Sequence, residues 1–145
     1  MDAIILPVAL ATAAACALIN FWLAIRVGKV RMSEKISIGD GGNERLTARM
    51  RAQLNFAEYA PFVLILIGLI ELAVGTQWWL WATAGLFVVA RILHPFGMDG
   101  VWKPGRSIGI ALTFLILIGL AGVAATIPYF SYGAVETIEV VDVSN

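Results

Sequence analysis

The 145-residue chain is 60% hydrophobic and 14% charged, against about 25% charged residues in an ordinary soluble domain, and its mean hydropathy is +0.86. This excludes a water-soluble domain, which would have to show water a largely polar shell; lipid is the solvent that removes the conflict. Ten Lys and Arg offset ten Asp and Glu, so no net positive charge favours a nucleic-acid partner, and the single cysteine, Cys16, excludes an intrachain disulfide.

The first apolar stretch covers residues 3–27. Met1-Asp2-Ala3-Ile4 lacks the basic segment of a cleaved signal peptide, so this stretch reads as a retained span with Cys16 as a small packing residue. A polar segment, 28–49, follows and reads as a long loop turning at Gly39-Asp40-Gly41-Gly42. That run has neither the spacing of a phosphate-binding loop nor its following Lys-Ser or Lys-Thr. The second span is expected over 50–74, the third over 78–97 after the turn Gly75-Thr76-Gln77, and the fourth over 106–127. Each is close to the roughly 20 residues that a helix needs to cross the hydrocarbon. None shows the period-two alternation of a membrane barrel. The fold class is therefore all-α, an integral membrane four-helix bundle forming one domain over 1–145, with an acidic tail at 128–145.

Charge sets the expected orientation. Arg26, Lys29, Arg31, Lys35, Arg45, Arg49, Arg51, Arg91, Lys103 and Arg106 are all ten of the basic residues, and four spans place every one at the face carrying loops one and three. The opposite face carries Asp2, Glu71, Glu136, Glu139 and Asp142. The positive-inside rule puts loops one and three in the cytoplasm and both termini across the membrane. Lys29, Arg31, Lys35 and Lys103 are read as topology signals alone. Trp78, Trp79, Trp81, Tyr129, Phe130 and Tyr132 read as interfacial anchors on the non-cytoplasmic side.

The chemistry collects at the start of span two. Helical spacing puts Arg51, Asn55 and Tyr59 on one face with Glu58 beside them: a cation, an amide, a phenol and a carboxylate. An Arg51–Glu58 salt bridge pinning the helix is the structural alternative. Arg91 and His94 bring more polar groups to the same level from span three, Arg106 from span four, and Asn20 and Arg26 from span one. Polar groups in a span tend to face a bundle interior or a cavity. Arginines in excess suit an anion, holding a carboxylate bidentately or stabilising a thiolate, and Glu58 suits an ammonium group. A ligand with two carboxylates, an amine and a thiol matches this inventory. His94 is the only histidine and has no cysteine nearby, so no metal site is expected.

The run Arg51-Ala52-Gln53-Leu54-Asn55-Phe56-Ala57-Glu58-Tyr59-Ala60-Pro61, with Ala90-Arg91-Ile92-Leu93-His94 and Pro104-Gly105-Arg106-Ser107, resembles the MAPEG superfamily, the membrane-associated proteins in eicosanoid and glutathione metabolism. The Gly39-Asp40-Gly41-Gly42 loop and Asn55-Phe56-Ala57-Glu58 look most like its short bacterial members. The resemblance covers nearly the whole chain. It implies a homotrimer in a bacterial inner membrane, with glutathione bound as a substrate between subunits near the cytosolic face. By the same resemblance Arg51, Asn55, Glu58, Tyr59 and His94 would grip glutathione, Gln53, Arg91 and Arg26 would add contacts, and Arg106 would stabilise the thiolate.

The second substrate is then a hydrophobic small molecule or lipid arriving from the bilayer. Eicosanoid-synthesising members carry a tyrosine four residues after the His94 position, where this chain has Met98, which favours conjugation or peroxide reduction over lipid-mediator synthesis. Two other function classes stand beside the transferase: a non-catalytic binding or scaffold protein of the same fold, and a small transporter. The second is disfavoured because the polar residues gather at one face and not at the midplane. Gly105 and Gly109 read as packing within a subunit, so the trimer rests on the resemblance.

Overall fold

The computed structural model describes residues 5–143, with side chains through Phe130. It contains α1 (Pro7–Glu34), α2 (Glu44–Val74), α3 (Trp78–Met98) and α4 (Pro104–Val143). All four are long and apolar enough to cross a membrane, α4 through Phe130. The chain is an all-α membrane bundle. Its outer surface is built as lipid requires: Leu18, Phe21, Phe62, Leu115 and Ile118 are among the most exposed side chains, and they are as apolar as the core. α1 packs on α2 and α3, and α4 packs on α3 and α2. The core runs along this arrangement through Leu23, Phe56, Val63, Ile67, Leu80, Phe87 and Leu120.

Several expected boundaries move. Pro7 stands at the first helical position of α1, where its missing N–H is no loss, so the helix starts later than residue 3. α1 then continues past Val27 to Glu34 and α2 begins at Glu44, which shortens the expected 28–49 loop to residues 35–43. The reason lies in local bonds. Lys35 ends α1 in the left-handed conformation with φ 55°, and Ile36 N–H closes back on the Arg31 carbonyl. Asn43 caps α2 by accepting from Leu46 N–H.

Between them Gly39, Gly41 and Gly42 all adopt positive φ. The Asp40 carboxylate accepts from Gly42 N–H and from the Thr47 hydroxyl, each at 3.0 Å. These bonds hold its carboxyl below the usual range. Arg31, expected to act as a topology signal alone, donates to the carbonyls of Gly39 at 2.9 Å and Ser37 at 3.4 Å and so ties down the loop. At the other end of the chain the expected tail is not separate, since α4 passes through Pro128 and stays helical to Val143.

Small residues draw α3 and α4 together. A Cβ on Gly105 would lie 2.7 Å from the Leu93 carbonyl, and one on Gly109 would lie 2.7 Å from the Ala90 carbonyl. The GxxxG pair therefore packs inside the subunit, as expected. At the far end of the bundle Glu71 on α2 is 1% exposed. Its carboxylate accepts from Val8 N–H at 3.0 Å, Ala9 N–H at 2.8 Å and the Thr76 hydroxyl at 2.8 Å. It caps the start of α1, where Leu6 supplies no side-chain acceptor. Of the expected anchors, Trp78, Trp81, Tyr129 and Phe130 are exposed, whereas Trp79 is half-buried and packs against the core. The expectations on Asp2, Tyr132, Glu136, Glu139 and Asp142 lie outside the described side chains.

Candidate functional site

At the basic end of the bundle three helices open a groove of about 210 Å³. Each contributes residues one turn apart: Arg51, Leu54, Asn55 and Glu58 from α2, His94 and Met98 from α3, Arg106 and Ile110 from α4. Five of the nine expected site residues therefore converge: Arg51, Asn55, Glu58, His94 and Arg106. Arg51, Glu58 and Arg106 are exposed, and the Arg51–Glu58 salt bridge considered above does not form among the described residues. The groove thus offers two guanidinium groups and one carboxylate free to meet a ligand, walled by Leu54, Met98 and Ile110. His94 is 2% exposed, and its Nδ1 is buried with no hydrogen-bond partner among the described residues.

The other four expected residues sit elsewhere. Arg91 does not reach the groove: it is 1% exposed and lies one turn deeper along the α3 stripe that carries His94 and Met98. It donates through Nη2 to Asn55 Oδ1 at 2.9 Å and through Nη1 to Thr113 Oγ1 at 3.2 Å, with the Phe56 ring 5.6 Å away. Arg91 thus ties α2, α3 and α4 together. By occupying the carbonyl oxygen of Asn55, it leaves the amide NH₂ as the end that a ligand can use. Tyr59 follows Glu58 by about 100° around the helix and packs its ring edge against Phe114, at 5.3 Å, outside the groove lining.

Gln53 lies on the other flank of α2. There it lines a wider groove of about 890 Å³ with Asn20, Val27, Arg31, Met50 and Ala57. Arg51 and Leu54 line both grooves, so α2 forms the ridge between them. Arg26 is turned away from both linings. Its guanidinium pairs with Asp99 and covers the Trp22 ring at 4.8 Å. Sequence reasoning missed Asp99 and treated Arg49 as one charge among ten. It also missed Met98, Leu54 and Ile110 as groove walls; the i, i+4 spacings 94/98 and 106/110 were the available signal.

Comparison with known proteins places the chain in a family. Residues 9–126 match the MAPEG family. Inner membrane protein YecN of Escherichia coli (strain K12) is 27% identical over 103 residues, covering 70% of this chain and 78% of that protein. Inner membrane protein YecN of Escherichia coli O6:H1 matches with the same identity and coverage.

Proposed function

The chain belongs to the MAPEG family, and from that premise we propose that it is a membrane-bound glutathione transferase that activates the thiol at Arg106 and delivers it to hydrophobic electrophiles dissolved in the bilayer. The observation that carries this reading is the convergence of Arg51, Asn55, Glu58, His94 and Arg106 on one groove at the basic end of the bundle. Those groups match glutathione chemically. Arg51 takes a carboxylate, Glu58 the ammonium, the Asn55 NH₂ a carbonyl or carboxylate oxygen, and Arg106 the sulfur.

A free thiol has a pKa near ~8.5, so little of it is ionised at neutral pH. A guanidinium within reach of the sulfur favours the anion through opposite charge. The thiolate is the nucleophile. In conjugation its lone pair forms the new bond to an electrophilic carbon while the leaving group departs with its own electron pair. Met98 and Leu54 present no phenol or acid to the substrate, which suits an acceptor that needs no protein proton donor. A lipid hydroperoxide is a second acceptor for the same thiolate. The sulfur bonds the terminal peroxide oxygen as the O–O bond breaks, and the alkoxide leaves and takes a proton to become the alcohol. A second glutathione thiol displaces water from the sulfenic acid to give the disulfide.

The groove of about 210 Å³ falls short of the about 300–1,000 Å³ that ligand pockets usually span. This suits a site completed by a second copy of the chain, and the homotrimer proposed with it rests on the family resemblance. Gln53, on the opposite flank of α2, then faces the ligand of the neighbouring copy. The YecN proteins carry an inner-membrane name, and the same location is proposed for this chain.

The test is a glutathione titration of the detergent-purified protein, following thiolate absorbance and conjugation of a hydrophobic electrophile. Wild type should give a thiolate signal at a pH below the free-thiol value. Arg106→Ala should lose that signal and about two orders of magnitude or more in turnover, while its oligomeric state stays unchanged. Normal turnover in that variant would remove Arg106 from the mechanism. Glutathione binding with no thiolate signal in wild type would assign the fold to binding without catalysis.

A further inference from the structure

Asp99 closes the C-terminal end of α3, with its own N–H donating to the Pro95 carbonyl at 3.0 Å. Its carboxylate receives Arg26 Nη2 from α1 and lies 3.6 Å from Arg49 Nε on α2. Arg49 Nη1 in turn donates to the Arg26 carbonyl at 2.9 Å, joining α1 to α2 beneath the carboxylate. Next to this cluster Phe96 of α3 meets Trp22 of α1 with ring centroids 5.7 Å apart. Asp99 makes the only ion pairs among the described residues, and all three side chains are mostly buried. A buried carboxylate serving two arginines from two other helices is a three-way joint, and removing the acid from such a joint leaves buried cations uncompensated.

Asp99 directly follows the groove-lining Met98, but neither it nor Arg26 nor Arg49 lines the groove. The joint's mechanical link to the groove is short. Gly97, two residues before Asp99, packs directly on the start of α4: a Cβ there would lie 2.0 Å from Arg106 N and 2.8 Å from Arg106 Cα. The backbone between them is bonded back onto α3, with Gly100 N–H on the Gly97 carbonyl and Val101 N–H on the Phe96 carbonyl, both at 3.2 Å. Wherever Asp99 holds the end of α3, the Arg106 backbone follows.

Resting on the transferase reading above, we propose that Asp99 is a positioning residue, which locks the end of α3 onto α1 and α2 through Arg26 and Arg49 and so fixes Arg106 opposite Arg51, Asn55 and Glu58. The same carboxylate has a second effect. It holds Arg26 and Arg49 in a closed pair and leaves Arg51 and Arg106 as the cations that an anionic ligand meets.

The experiment measures the pH midpoint of glutathione thiolate absorbance on full-length protein in detergent. It compares wild type, Asp99→Asn, Asp99→Glu and Arg49→Gln, with Arg106→Ala as the no-signal reference and circular dichroism and size exclusion as fold controls. Asp99→Asn keeps the shape and removes the charge. Its midpoint should rise by about one pH unit, a tenfold loss in thiol acidity, on a folded protein, and Asp99→Glu should recover part of that shift. Arg49→Gln, which removes one arm and leaves the Arg26 pair, should shift the midpoint the same way by less.

An unchanged midpoint in whichever of the Asn and Gln variants is folded overturns the proposal. So does unfolding of both, which would assign the joint to stability alone. A wild type without any thiolate signal fails differently: it overturns the transferase reading itself, and the positioning role falls with it.

Discussion

Leu6 precedes α1 with no side chain able to accept from the first turn of the helix, and the two amides at Val8 and Ala9 are satisfied by a carboxylate 62 and 63 residues away in sequence. Glu71 meets the positive end of the helix dipole, so its charge is used where it stands. Glu71→Ala should cost about 2 kcal/mol, from the lost cap and the buried donors left without partners. Thermal unfolding in detergent reads this directly. Because Glu71 lies at the opposite end of the bundle from the groove, glutathione binding should be unaffected in the folded fraction. In sequence this residue shows only as an acid on the sparsely charged face. Nothing local marks it as a cap, because its partners are on another helix.

The contact between α3 and α4 depends on glycines that have specific backbone neighbours. An Ala Cβ at Gly109 would lie 2.7 Å from the Ala90 carbonyl and 2.9 Å from His94 Cβ, whereas at Gly119 it would meet nothing within 4 Å. Gly109→Ala should therefore destabilise by about 1–3 kcal/mol through overpacking and weaken glutathione binding by displacing His94, while Gly119→Ala should be neutral in both assays. Melting curves and calorimetric titration of the two variants side by side check this.

The spans themselves were legible, because hydropathy and length decide them without tertiary information. Arg51, Asn55 and Glu58 were legible because one helix face can be read from a 3.6-residue repeat. That Tyr59, Gln53, Arg91 and Arg26 stand outside the smaller groove was not legible, because the repeat gives angles around one axis and does not say which neighbour each angle meets. Tyr59 turns to Phe114, Gln53 to α1, Arg91 inward to Asn55 and Thr113, and Arg26 to Asp99. The helical extensions of α1 and α2 into the polar 28–49 segment escaped for a related reason. Hydropathy marks the membrane boundary, and a helix can run past it wherever a cap such as Asn43 holds its end.

Across the whole molecule all ten Lys and Arg lie in the half of the chain's helices and connections nearest the 35–43 and 99–103 segments, and the groove opens at that same end. If this asymmetry sets orientation as the positive-inside rule states, Ser37→Cys in the 35–43 loop should resist an impermeant maleimide in intact cells. Gln77→Cys in the 75–77 turn should react with it. Cys16 is 4% exposed and adds little background. The reverse labelling pattern would place the groove outside the cytosol, away from the cell's glutathione.

The reach of Glu71 across the bundle also has a consequence for how the chain is made. Translation delivers α1 well before residue 71 leaves the ribosome, so the first turn of α1 begins without the acceptor that its Val8 and Ala9 amides have in the folded chain. Only when the end of α2 and Thr76 arrive does the hook close. The α1–α2 hairpin is then the first self-sufficient unit of biogenesis, and α3 and α4 are added to a template whose register Glu71 has already set.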